Sequence, residues 1–210
     1  MGFCCRVPTT YSVAMTGLSQ LVQSACISED RKTSFPAYTF GEFCTPESEI
    51  VQEVLIPYLA RSLHKEPQTV AEENIRNIHI IALGLLRHKN VITELTPVIE
   101  AHGSSGSVSL DSVQGSRNEM SRILAVYSLM NSGFHNPNLV TPVLLTVFTN
   151  PAESTEMRIA AFNAILKLNP PKYVFDTIAS VTRQEPKMDM ELLKVINIGL
   201  YTLGHETMER

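Results

Sequence analysis

Four segments of this chain can be laid over one another: "HIIALGLL" from His79, "RILAVYSL" from Arg122, "RIAAFNAI" from Arg158 and "KVINIGLY" from Lys194. Each opens on a cation-capable residue followed by Ile or Val and continues mostly apolar, and most carry a small residue near the centre. The starts lie 43, 36 and 36 residues apart, and the longest interval contains the Gly/Ser-rich piece "GSSGSVSLDSVQGS". Every copy but the last is followed by a turn and a second apolar-periodic stretch: "NVITELTPVIE", "NLVTPVLLTVF" and "YVFDTIASV". "EIVQEVLIPYL" reads as the second helix of an earlier unit, because Pro57 falls where Pro97 falls in "TELTPVIE". One such helix pair cannot cover its own apolar faces, so pairs repeating every ~40 residues must stack on one another. The pattern predicts an all-α chain, a two-layered α-superhelix of the HEAT-like solenoid type with about nine helices.

The remaining elements follow from the same three- and four-residue steps. Tyr11, Ala14, Met15, Leu18, Leu21, Val22 and Ala25 line one face of a first helix. A second runs from Glu47 to about Leu63, and Pro57, which lacks an N–H, should kink it. Further helices are expected at 70–87, 91–101, 117–131, 137–149, 151–168, 171–183 and 189–203. No alternating strand pattern is present. Residues 1–44 therefore hold the N-terminal helix and a polar loop, and 45–210 the superhelix, with 103–116 as a flexible surface loop. Asn136-Pro137, Asn150-Pro151 and Asn169-Pro170 each stand between helices, where Asn can cap free N–H groups and Pro suits the first turn. Asn150 and Glu153 have the spacing of a capping box.

Chemistry is sparse. The formal net charge of −4 is too small and of the wrong sign for a protein that neutralises phosphates, and there is no Trp or basic run, so nucleic acid is not an expected partner. No apolar run reaches the roughly 20 residues of a membrane span. The N-terminal stretch is interrupted by Thr, Ser and Gln where a signal peptide needs a compact apolar core, and Arg6 stands where a myristoylation pattern wants Ser or Thr. The six histidines form no His-x-x-x-His pair, and no phosphate loop or nucleophile elbow occurs, so no metal, cofactor or catalytic residue is expected. Arg122 and Arg158, with Lys194 at the same repeat position, are read as structural stacking residues. Each arginine should be tied to a loop carbonyl or to a glutamate such as Glu119 or Glu156. A catalytic arginine would instead need an acidic substrate in a concave site. Cys26 and Cys44 stand 18 residues apart; reduced thiols in a cytosolic protein and a disulfide across the polar loop remain equal alternatives at this level.

"ESEIVQEVLIPYLARSL" followed by "NIRNIHIIALGLLRHKNVITELTPVIE" resembles the helical domain of the large lipid transfer proteins. That family comprises vitellogenins, apolipophorins, the N-terminal part of apolipoprotein B and the microsomal triglyceride transfer protein. "RILAVYSL" and "NPAESTEMRIAAFNAILKLNPP" continue the resemblance, which covers about 45 to 205 and, more loosely, 8 to 44. It implies a helical shell wrapped around lipid-bearing β-sheets, a non-catalytic part in lipid transport, and an extracellular or ER-lumenal setting. It also favours the Cys26–Cys44 disulfide. The family's β-barrel and lipid-binding sheets lie outside this chain, so the chain reads as a piece of a longer protein, with lipids met through the parent's cavity. The alternative is a cytosolic HEAT-like scaffold holding a protein partner on its concave face.

Overall fold

The computed structural model describes residues 6–29, 44–101, 112–185 and 188–208, and the regular structure among them is helical throughout. Helix α1 (Arg6–Val22) runs on into a π-helical turn, Gln23–Ile27. A second π-helical turn, Ile50–Leu55, leads into α2 (Ile56–Ala60). Then come α3 (Val70–Leu86), α4 (Asn90–Glu100), α5 (Ser112–Gly133), α6 (Pro137–Thr149), α7 (Thr155–Lys167), α8 (Lys172–Gln184) and α9 (Met190–Met208). Odd-numbered helices pack each on the next in one layer, and α2, α4, α6 and α8 make the other. This is the two-layered, all-α arrangement that the repeat demands.

The two layers differ in side-chain chemistry. In α7, Met157, Arg158, Ala160, Ala161, Phe162, Ala164 and Ile165 are all buried, because neighbours cover the helix on several sides. In α8 only Val174 and Ile178 are buried, the single inward stripe of an outer helix. Phe148 of α6 and Phe162 of α7, ring centroids 5.8 Å apart, join the layers. Each fully buried aromatic or aliphatic side chain contributes about 1.5–3 kcal/mol relative to exposure. The small residues of the repeat set the spacing of the buried layer. A Cβ added to Gly84 would lie 2.7 Å from the Ser128 backbone, so α3 and α5 approach as closely as they do only because position 84 has no side chain.

Several local expectations are corrected. Pro57 has no N–H for the Glu53 carbonyl, and the helix widens upstream of it: the Ile56 N–H bonds Val51 O, five residues back. Helix α5 begins at Ser112, inside the stretch read as loop, and 103–111 falls outside the described residues. Gly and Ser are weak helix formers, but extending an existing helix costs far less than nucleating one. The polar loop after Cys26 also lies largely outside the described residues.

The Asn-Pro pairs punctuate differently from the capping proposed. Pro137 does occupy the first turn of α6, yet Asn136 makes no side-chain cap. Asn150 accepts from the Ala152 N–H at 3.0 Å in a local turn, and the cap of α7 is Ser154, which accepts from the Met157 N–H. Asn169 has φ 49° and ends α7 in the left-handed conformation that asparagine tolerates. Meanwhile α3 starts with a capping box, Thr69 with Glu72. The Thr-x-x-Glu pattern was there to be read in the sequence.

Candidate functional site

The recurring cation positions make a ladder between repeats. Arg122 on α5 donates from Nε and Nη2 to the Ile99 carbonyl at 2.9 and 2.7 Å, and from Nη2 to Glu153 Oε1 at 2.6 Å. Arg158 on α7 donates from Nε to the Phe148 carbonyl at 2.9 Å. It also grips both Glu185 oxygens, from Nη1 at 2.9 Å and Nη2 at 2.6 Å. The two arrangements are equivalent. Ile99 and Phe148 are in the last turns of α4 and α6, where carbonyls lack helical partners, and Glu153 and Glu185 lie just beyond the ends of α6 and α8. Each arginine therefore fastens the end of one outer helix to the end of the next. Arg158 also lies 5.7 Å from the centroid of the Phe148 ring.

The glutamates differ from those expected. Glu156 is two residues from Arg158, a spacing that does not face it on a helix. Glu119, on the correct face for Arg122, instead accepts a hydrogen bond from the Ser154 hydroxyl. Lys194 departs from the ladder altogether: it is exposed, and among the described residues no hydrogen bond or ion pair holds it.

At the first repeat the position is His79, and hydroxyls replace the glutamate. Ser62 donates to the Leu59 carbonyl at 3.2 Å, so its oxygen accepts from His79 Nδ1 at 2.8 Å. His79 Nε2 then accepts from the Tyr11 hydroxyl at 2.6 Å, and the Tyr58 hydroxyl stands 3.3 Å from that of Tyr11. Burial holds His79 below the usual imidazole range. Burial, with the Tyr58 hydrogen bond adding to it, pushes Tyr11 up to about 12. The ring is thus neutral and the phenol protonated at neutral pH. Tyr11, Tyr58, Ser62, His79 and Ile75 line an open cavity of ≈ 400 Å³, with Arg61, Lys65, Glu66, Pro67 and Glu72 also on its wall. Both imidazole nitrogens are already engaged, so the ring has no free lone pair with which to take a proton from a bound molecule. The cluster ties α1, the end of α2 and α3 together. Sequence reasoning did not find Tyr11, Tyr58 or Ser62; the one available signal was a histidine standing where later repeats carry a permanent cation.

Cys26 and Cys44 are joined by a disulfide with Cα atoms 4.7 Å apart, and both are buried. It ties the π-helical turn after α1 to the residues leading into α2.

A family model described as the vitellogenin TPR domain matches residues 6–192. The chain is 25% identical over 194 residues to vitellogenin-1 of Solenopsis invicta, an alignment covering 91% of this chain and 11% of that protein. It is 22% identical to vitellogenin-A1 of Aedes aegypti, over 84% of this chain and 8% of the relative. It is 26% identical to the hemolymph clottable protein of Penaeus monodon, over 84% and 10%. The chain spans about a tenth of the length of the curated relatives it matches. No solved structure matches it.

Proposed function

Because this chain belongs to the vitellogenin TPR domain family, we propose that it acts in lipid transport as the helical shell of a larger vitellogenin- or apolipophorin-like lipoprotein. The observation that carries this reading is the match over 6–192, which takes in both layers of the superhelix and the ladder that fastens them. The role is non-catalytic: the arginines spend their donors on helix-end carbonyls and glutamates, and His79 spends both nitrogens on hydroxyls. Lipid is met through the parent protein's β-sheet cavity, against which the shell packs. Among the described residues no helix is long and apolar enough to cross a membrane. The buried disulfide supports an extracellular or ER-lumenal setting, since oxidising compartments keep such bonds and the cytosol reduces them.

The test is to capture the native protein with an antibody against this chain, extract it with organic solvent, and size the polypeptide on a denaturing gel. A large polypeptide with co-purifying phospholipid is expected. A 23.3 kDa species with free thiols and no lipid would overturn the reading in favour of a cytosolic scaffold.

A further inference from the structure

The open cavity of ≈ 400 Å³ between α1, α2 and α3 lies in the size range of small-molecule sites. Its wall is mostly apolar, and large side chains on it stand in water: Tyr58 is 45% exposed and Ile75 41%. Tyr11 and Pro67 continue the same wall. The charges on it balance. Arg61 and Lys65 face the cavity together with Glu66 and Glu72, and Lys65 Nζ lies 3.9 Å from Glu72 Oε1. An ion of either sign would meet a like charge there, so the occupant this wall fits is uncharged. The polar groups add a direction. Protons run one way along the cluster, from Tyr58 to Tyr11, from Tyr11 to His79 Nε2, from His79 Nδ1 to Ser62 and from Ser62 to the Leu59 carbonyl. Each donor is spent on the next member. At the cavity end the Tyr58 oxygen keeps its lone pairs but has no proton to give without breaking its bond to Tyr11. An alcohol can donate to that oxygen. An ether, ester or carboxylate, which only accepts, cannot.

We propose that this cavity binds an uncharged apolar alcohol, its body covering Tyr11, Tyr58, Pro67 and Ile75 and its hydroxyl donating to the Tyr58 oxygen. Two sources supply this chemistry: a free aromatic alcohol, or a sterol drawn from a lipid surface. The site stands on the cavity, its balanced charges and the direction of the hydroxyl chain, and does not depend on the lipid-transport reading.

The experiment is titration of the methyl-labelled chain with naphthol, methoxynaphthalene and naphthoate, which share one apolar body and differ in the polar group, following the Ile75 methyl resonances. Cholesterol uptake from phosphatidylcholine vesicles is measured alongside. Naphthol should shift those resonances saturably, with the ether and the carboxylate each weaker by about tenfold, the worth of one hydrogen bond. Tyr58→Phe should bring naphthol down to the affinity of methoxynaphthalene and leave methoxynaphthalene itself unchanged. Ile75→Glu should abolish the binding of both. Cholesterol uptake by the wild type, lost in Ile75→Glu, assigns the sterol source; naphthol binding without uptake assigns the free one. Ile75 methyls unmoved by naphthol and by cholesterol-bearing vesicles, or moved as readily by the ether as by the alcohol, overturn the proposal. The wild-type comparison of the probes decides this even where a variant fails to fold.

Discussion

At the scale of single residues, the Arg122–Glu153 pair is the most demanding contact in the ladder, because both side chains are almost wholly withdrawn from water. Glu153→Ala leaves the guanidinium with one carbonyl and no counter-charge, and is expected to cost about 3–5 kcal/mol in urea unfolding. Arg122→Met with Glu153→Leu should recover much of that loss, since an apolar pair of similar volume strands no charge. A double variant as unstable as the single one would mean that the cost lies in packing. Two buried histidines set a pH window. His79 and His88 are both held below the usual imidazole value by burial, His88 donating from Nε2 to the Pro46 carbonyl at 3.1 Å. Their neutral forms are favoured by the fold, so the stability they support is complete above the unfolded value of 6.5. It is lost as pH falls from there through their folded values. The carboxylate of Glu185, lowered first by its hydrogen bond from Arg158, protonates only below 4.5. Thermal melts should therefore decline in two steps on acidification, and His88→Gln should flatten the upper one.

At the scale of helices, the buried layer is limited by its small residues and the outer layer by its ends. Gly84→Val would drive a branched side chain into the Ser128 backbone, and this cannot be relieved by a rotamer change. The expected loss exceeds about 3 kcal/mol, the range in which overpacking forces helices apart, and denaturant titration reads it directly. The opposite effect is expected one turn later. Arg87 ends α3 with φ 55°, a left-handed conformation that costs a side-chain-bearing residue about 1 kcal/mol and glycine almost nothing. Arg87→Gly should raise the melting temperature by a few degrees, and a lowered one would mean that the Arg87 side chain makes a contact worth more than the strain.

At the scale of the whole molecule, the disulfide cross-links the turn that follows the first helix to the residues leading into α2. It closes a loop with a sequence separation of 18, for which the loss of unfolded-chain entropy is worth roughly 3 kcal/mol. Cys26→Ser with Cys44→Ser, or reduction of the wild type, should lower stability by about that amount. Because a solenoid's repeats touch only their neighbours, the loss should fall first on α1 and α2, and hydrogen exchange should quicken there before it does in α5 to α9. Uniform quickening along the chain would show that the superhelix unfolds as one unit.

Periodicity is local, so the sequence alone determined the class, the alternation of the two layers and the recurrence of Arg122 and Arg158. A helix needs only a correctly spaced apolar face, and a 36-residue repeat needs a stack. It could not say which glutamate meets which arginine, since Glu153 and Glu185 reach their partners across 31 and 27 residues of chain. Nor could it bring Tyr11, Ser62 and His79 together, or leave the buried Nε of Arg76 without a hydrogen bond. Those outcomes depend on how neighbouring pairs of helices are rotated and spaced as they stack. That packing is chosen jointly by close approaches such as Gly84 on Ser128 and by buried groups competing for a limited set of partners, and neither can be read one segment at a time.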